Sequence, residues 1–198
     1  LTIAPEVNDF TALIQQYFGL LGTEDLNTIR HYFREEKLSK NEFFTKSDQV
    51  CNRLSMVKSG ILRIYALSDG KEITQWLSVA DTFITEAVGF FFNQPNRWNI
   101  QAFTEVELLT ITKTDYHKLC KEFPKWNEIE KQFIIKCFMM MEDRIFSHLS
   151  MTAEERYNRY FVHHKELFTQ VPLQYIASVL GMTPETFSRI RKRQAEKS

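Results

Sequence analysis

At 198 residues the chain has room for one large domain or two small ones. Its 25 basic and 25 acidic residues cancel, which excludes a globally basic nucleic-acid binder, so any affinity for a polyanion has to come from local charge. With 43% hydrophobic residues and 17 phenylalanines it is a packed globular protein and not a disordered one.

Cys51, Cys120 and Cys137 are scattered and form no C-x-x-C or zinc pattern, which suits a reduced cytosol. No secretory leader is visible and no run of 18 apolar residues exists, so a cytoplasmic protein that does not enter a membrane is expected.

In chain order, Phe10, Leu13, Ile14, Tyr17, Phe18 and Leu21 repeat at helical spacing and predict a helix over residues 9–21. Thr23 reads as the N-cap of a second helix, with Glu24 and Asp25 in its first turn and Leu26, Ile29 and Phe33 along one side. From about Leu38 the period changes. Leu54 to Val57, Ile61 to Leu67 and Glu72 to Val79 read as strands, and Asp69-Gly70 is a two-residue hairpin turn between the last two. Ile100, Ala102, Thr104, Val106 and Leu108 alternate with more polar partners, and Leu109 and Ile111 close the set. Many short strands at near-regular spacing predict a small antiparallel barrel or jelly roll.

Helical spacing returns from Thr114 to Phe123 and again, after Pro124, from Trp126 to about Leu149. This last helix has two apolar faces. One carries Trp126, Ile129, Phe133, Cys137 and Met140, and the other Ile134, Phe138, Met141, Ile145 and Leu149. A surface helix needs only one. The second face packs either on another copy of the same helix or inside a single subunit. Tyr157, Tyr160, Phe161 and Leu167 then mark a short core helix, with a hinge expected near Leu149.

The stretch Val171 to Gln194 reads as a helix-turn-helix. Ile176, Ala177 and Leu180 give the first helix one buried face, and Ala177 is small enough for a second helix to cross close by. Gly181 is placed as a left-handed stop. Thr183 is a candidate N-cap, and Pro184 sits at the first helical position, where its missing N–H costs nothing. Phe187 and Ile190 point to the core with Met182, while Glu185, Ser188, Arg189 and Lys192 share the opposite side. Arginine bonds guanine bidentately and a carboxylate accepts from cytosine, so Glu185, Ser188 and Arg189 are the candidate base readers. Thr183, Arg191, Lys192 and Arg193 are the candidate phosphate contacts. From Thr183 to Ser198 there are five Lys/Arg against two Glu, a local net of +3. The plainer reading of the same residues is a solvated amphipathic helix with a basic end.

An N-terminal barrel, a long helix and a C-terminal helix-turn-helix together resemble the Crp/Fnr superfamily of bacterial transcription regulators over nearly the whole chain. Val57-Lys58-Ser59-Gly60 and Asp69-Gly70-Lys71-Glu72 look like the early strands and hairpin of its barrel, and Phe83-Ile84-Thr85-Glu86 like the start of its phosphate-binding cassette. Glu185, Ser188 and Arg189 match the E-x-x-S-R pattern of the Fnr-like branch. The resemblance implies an α+β chain in three parts. These are an effector-sensing antiparallel β jelly roll of the cyclic-nucleotide-binding kind with flanking helices over 1–123, a dimerisation helix over 124–150 and a helix-turn-helix DNA-binding domain over 151–198. It further implies a homodimer on a palindromic stretch of double-stranded DNA, a small-molecule effector in the barrel, and RNA polymerase as a partner. Pro184 stands where the Crp branch has an arginine for an extra guanine, so a half-site of the Fnr type is expected.

Two departures bear on the effector. Cyclic-nucleotide binders of the family use a Gly-Glu pair and then an Arg-Ser pair; here the first reads Thr85-Glu86 and the second aligns with Asn96-Arg97. A threonine crowds the close approach of backbone to phosphate that glycine allows, and asparagine cannot replace the bidentate arginine clamp. Where cAMP binders place hydroxyls on the long helix, this chain has Met139-Met140-Met141, which suit apolar packing or an apolar ligand. Thr85, Glu86, Asn96, Arg97, Met139 and Met140 are therefore the expected pocket residues, with cAMP binding weak or absent. Only Cys51 precedes residue 120, so four-thiolate iron–sulfur ligation within one chain is not expected. No haem, metal or other cofactor is assigned to His31, His117, His148, His163 or His164. The family's β-wing after the recognition helix is not expected here.

Two other function classes compete. A ligand-binding signalling module could use the C-terminal helices on protein instead of DNA. A cupin-like enzyme needs a histidine cluster, and Leu38 to Ile111 contains no histidine, so a catalyst is not expected.

Overall fold

The computed structural model describes Ile14 and residues 21–196. The helix expected over residues 9–21 lies outside them except for Ile14 and Leu21, both buried in the core. The described elements begin with α1 (Thr23–His31), β1 (Arg34–Leu38), β2 (Phe43–Thr45), β3 (Arg53–Ser59), β4 (Leu62–Ser68), β5 (Lys71–Ser78) and β6 (Thr82–Ile84). They continue with α2 (Ala87–Phe92), β7 (Asn99–Ala102), β8 (Val106–Thr112), α3 (Lys113–Glu122) and α4 (Trp126–Ser150). Four helices follow: α5 (Ala153–His163), α6 (Leu167–Gln170), α7 (Leu173–Val179) and α8 (Pro184–Ala195). Two compact units result, one made of the chain up to Arg63 and Ser78–Phe138, the other of Ile64–Leu77 and Met139–Ser198.

In the first unit β1, β8, β3 and β6 form one antiparallel sheet in that order, and β2 pairs antiparallel with β7. The sheet is buried on both faces. Leu54, Met56, Leu109 and Ile111 project from one face into a cluster with Leu26 and Ile29 of α1, Phe90 of α2, Tyr116 and Leu119 of α3, and Trp126 and Ile129 of α4. Val57 and Leu108, opposite each other in the register, fill the other face. Several elements differ from expectation. β1 reads REEKL, with no apolar alternation to announce it, and is an edge strand laddered to β8 along its whole length, with Leu38 buried and charged contacts beside it. Lys37 pairs with Glu107 at 2.6 Å, Glu36 accepts from Thr110 Oγ1 at 2.7 Å and takes an ion pair from Arg53. The set expected from Ile100 to Ile111 is two strands, β7 and β8, and the short β2 and β6 escape a pattern that needs four residues to show. At the start of α1 the cap residue is Gly22, in an extended conformation, and Thr23 is already helical.

In the second unit β4 and β5 are joined by Asp69 and Gly70, with φ of 50° and 74° as a type I′ turn requires. α5 opens with a capping box in which Thr152 and Glu155 satisfy each other's backbone N–H groups. Tyr157, Leu167, Phe168, Ile176, Ala177, Leu180, Phe187 and Ile190 are all buried. Leu167, expected on the same helix as Tyr157, belongs to the separate α6.

Along α4, Trp126 and Ile129 are buried, while Ile134, Phe138, Ile145 and Leu149 are exposed, the last at 81%. The second apolar face read from the sequence is therefore uncovered. Met140, expected with the packed face, is exposed as well. No helix among the described residues is long and apolar enough to cross a membrane.

Candidate nucleic-acid interface and the cassette

The helix pair is set by local chemistry. α7 buries Ile176, Ala177 and Val179, and its chain reverses through Gly181 at φ +64°, with the Met182 N–H donating back to the Ala177 carbonyl at 2.9 Å. A Cβ at Gly181 would meet only the exposed His148 ring, at 3.2 Å, so it is the left-handed conformation that calls for glycine. Thr183 Oγ1 accepts from the Thr186 N–H at 3.2 Å and Pro184 occupies the first turn of α8. Phe187 packs on Tyr157 and Phe168, with ring centroids 5.2 and 5.9 Å apart, and Ile190 is buried one turn on. Arg156 secures the turn from α5, its Nε donating to the Leu180 carbonyl at 3.0 Å and Nη1 to the Met151 carbonyl at 2.7 Å.

The opposite side of α8 is open. Glu185, Ser188, Arg189 and Lys192, with Pro184, line one shallow concavity, and all five are exposed. The Glu185 carboxylate sits at the helix N-terminus, where its own backbone N–H and the Thr183 hydroxyl hold it below the usual carboxylate range. It is ionised at neutral pH. Arg189 and Lys192 make no ion pair among the described residues, so their charges face solvent unopposed.

The remaining predicted phosphate contacts divide. Arg191 is exposed on the flank toward Tyr157, whose hydroxyl feels its charge. Arg193 pairs with Glu154 at 3.1 Å, and Gln194 donates to the same carboxylate at 2.7 Å. Together they brace the end of α8 against α5, so Arg193 is engaged within the fold. The Thr183 hydroxyl is likewise occupied as the cap. Glu154 and Arg156 lay beyond the sequence reading because their partners are 39 and 24 residues away, at no periodic spacing.

The expected effector residues of the first unit are built differently. Glu86 is buried and its carboxylate accepts from the Gly89 N–H at 2.8 Å, capping α2. Thr85 Oγ1 donates to the Arg53 carbonyl at 2.9 Å. Asn96 is 3% exposed, and both of its amide N–H groups are donated within the fold. Its Oδ1 accepts from the Cys51 N–H at 3.0 Å, and its Nδ2 donates to Thr45 Oγ1 at 2.6 Å and to the Lys46 carbonyl at 2.9 Å. A Cβ at Gly89 would meet Asn96 Oδ1 at 2.1 Å, so that glycine serves the asparagine. Arg97, one residue on, turns away to the surface and stacks on Trp98 at 4.9 Å.

Thus Glu86 and Asn96 are internal braces, while Arg97 stands at the surface. Met139 and Met140 belong to the other unit and are exposed. Thr85 does border a crevice with Leu54, Phe83, Phe91, Trp126, Glu130, Phe133 and Ile134, but its volume is near 50 Å³ and its walls are apolar. Typical small-molecule sites run to roughly 300–1,000 Å³. Among the described residues no group of three or more His, Cys, Asp or Glu is placed to hold a metal ion.

Residues 35–123 match the family model of the cyclic nucleotide-binding domain. Comparison with curated protein sequences gives no significant match. Several solved structures share the fold. FixK2 from Bradyrhizobium japonicum superposes with a TM-score of 0.70 at 18% identity, covering 83% of this chain and 85% of that one. The c-di-GMP responsive global regulator CLP from Xanthomonas campestris gives a TM-score of 0.64 at 15% identity over 89% and 93% of the two chains. The catabolite activator protein of Thermus thermophilus gives 0.57 at 20% identity over 91% and 87%.

Proposed function

We propose that this chain, which has the Crp/Fnr-like fold of a cyclic nucleotide-binding domain followed by helices, is a sequence-specific, DNA-binding transcription regulator acting as a homodimer on a palindromic operator. One observation carries the reading. α8 has a buried apolar back and an open front on which Glu185, Ser188, Arg189 and Lys192 stand together, with no ion pair for either cation among the described residues. An arginine and a carboxylate one turn apart on the exposed side of a second helix suit the edges of a G·C pair in a major groove. Arg191 and Lys192 supply the phosphate contacts, which at a net chain charge of zero are the local source of attraction. Thr183 and Arg193 are lesser candidates, being already engaged.

The uncovered face of α4 supports the dimer. A two-fold pairing of that face would bury Ile134, Phe138, Ile145 and Leu149 against their own copies, as a self-complementary interface requires. The cassette argues against cAMP as the effector, because the buried side chain at the arginine position already gives both of its N–H donors to Thr45 and Lys46 and has none left for a phosphate. An effector of other chemistry remains part of the reading. The likeness to regulators supports a non-catalytic role.

The test is selection of bound duplexes from a random pool with the whole chain, followed by titration of the selected duplex at several salt concentrations. A palindrome with half-sites about one helical turn apart is expected, with affinity falling steeply as salt rises. Enrichment of no sequence, with salt-insensitive retention of protein partners instead, would favour a signalling module. Calorimetry with cAMP at micromolar concentration is expected to show no heat of tight binding.

A further inference from the structure

The second unit holds a contact that base reading does not use. β5 is the outer strand of its sheet, and the N–H and C=O on the open side of such a strand have no ladder partner. At Thr74 both are taken by one side chain. The Thr74 N–H donates to Ser178 Oγ at 2.9 Å, and the Ser178 hydroxyl donates to the Thr74 carbonyl at 3.2 Å. Ser178 lies on α7, 104 residues away in the chain, and plays the part of a single residue of a further strand. Thr74 is 1% exposed, so water has no access to replace it.

A second contact lies beside the first. Arg144 of α4 donates from Nη2 to the Val179 carbonyl at the end of α7, at 3.2 Å, and its guanidinium stands 5.3 Å from the centroid of Trp76 on β5. Its Nη1 is buried without a partner, and burial draws its pKa below the ordinary arginine value. Among the described residues this desolvated cation is held by a helix end and an aromatic face, with no carboxylate beside it.

Both contacts fall on α7, and neither covers the front of α8. The hairpin therefore holds the helix pair without hiding its reading face. We propose that Thr74, Trp76, Arg144 and Ser178 form a latch that fixes the helix pair on its own hairpin in one orientation, so that both copies in a dimer meet their half-sites together. The inference rests on the DNA-binding reading above and names the residues that position its reading face. A head fixed in orientation presents the second half-site at high effective concentration, and a released head loses that advantage without losing any base contact.

The experiment compares the whole chain with Ser178→Ala, Ser178→Thr and Arg144→Gln, using the selected palindrome and a duplex carrying one half-site. Amide exchange at Thr74 is followed by NMR in the same samples. In Ser178→Ala, Thr74 exchange should accelerate and palindrome affinity should drop about tenfold, with single half-site affinity unchanged. Ser178→Thr, which keeps a hydroxyl, should restore both, and Arg144→Gln should lower palindrome affinity in the same selective way. Unaltered Thr74 exchange in Ser178→Ala overturns the latch. So does an equal loss on palindrome and half-site. A wild-type chain that selects no duplex defeats the DNA reading itself, and is told apart because a failed latch leaves wild-type binding intact.

Discussion

The cassette around Asn96 and the front of α8 contain much the same side chains, and they use them in opposite ways. In the cassette a glutamate caps a short helix and an asparagine bonds two backbone groups and a threonine hydroxyl, both nearly out of reach of solvent. On α8 a glutamate, a serine, an arginine and a lysine stand exposed on a helix whose stability comes from Phe187 and Ile190 behind them. Buried polar groups are nearly always hydrogen-bonded, and a saturated one has no capacity left for a ligand. Exposed polar groups gathered on one side with no partner contribute little to folding and are available to bind. The two regions therefore separate polar groups committed to the fold from polar groups left open to solvent.

That separation can be broken by mutation. The largest effect is expected for Asn96→Leu, which orphans the Cys51 N–H, the Lys46 carbonyl and Thr45 Oγ1 at once. A loss of about 3 kcal/mol in urea unfolding is expected, with base preference unchanged wherever the variant is folded. A variant of normal stability would mean that the asparagine is not a brace. Arg189→Ala should do the reverse. Unfolding should be unaltered, while operator affinity falls by about 1–3 kcal/mol with relaxed preference at one base pair. Equal losses on operator and random duplex would remove Arg189 from base reading.

Lys192→Ala sharpens the contrast within α8. It should weaken every duplex alike and lower the slope of affinity against salt by about one charge. A base-specific loss would instead make Lys192 a reader. The smallest effect concerns Glu155, whose carboxylate is held below the usual range by the backbone N–H and hydroxyl of Thr152. A lowered folded pKa means that its contribution is complete above the ordinary carboxylate value and disappears as pH falls through the lowered one. The difference in thermal midpoint between wild type and Glu155→Gln should therefore be present at neutral pH and vanish in acid. A difference that persists in acid would place the effect elsewhere than in the charge.

Much of this was legible in the chain. The helix pair was set out by Ala177, Gly181, Thr183 and Pro184, whose roles depend on conformation within a turn or two. The Asp69-Gly70 turn was equally plain, as were the two faces of α4. The elements that escaped notice had no local signal. β1 carries four charged residues in five, and β2 and β6 are three residues long. Thr85 and Asn96 stood out against the expected Gly-Glu and Arg-Ser pairs, but nothing local said what Asn96 bonds to.

The sequence by itself determined which helices and turns form, where apolar faces lie, and which residue types stand on the front of α8, because these follow from periodicity and backbone preference over a few residues. Only the tertiary structure decided which polar groups are free. Asn96 is closed by partners 45 to 51 residues away, Arg193 is drawn to Glu154 across 39, and Ser178 finds Thr74 across 104. A hydrogen bond records distance in space and not along the chain, so a side chain's availability cannot be read until the fold has brought its partners to it.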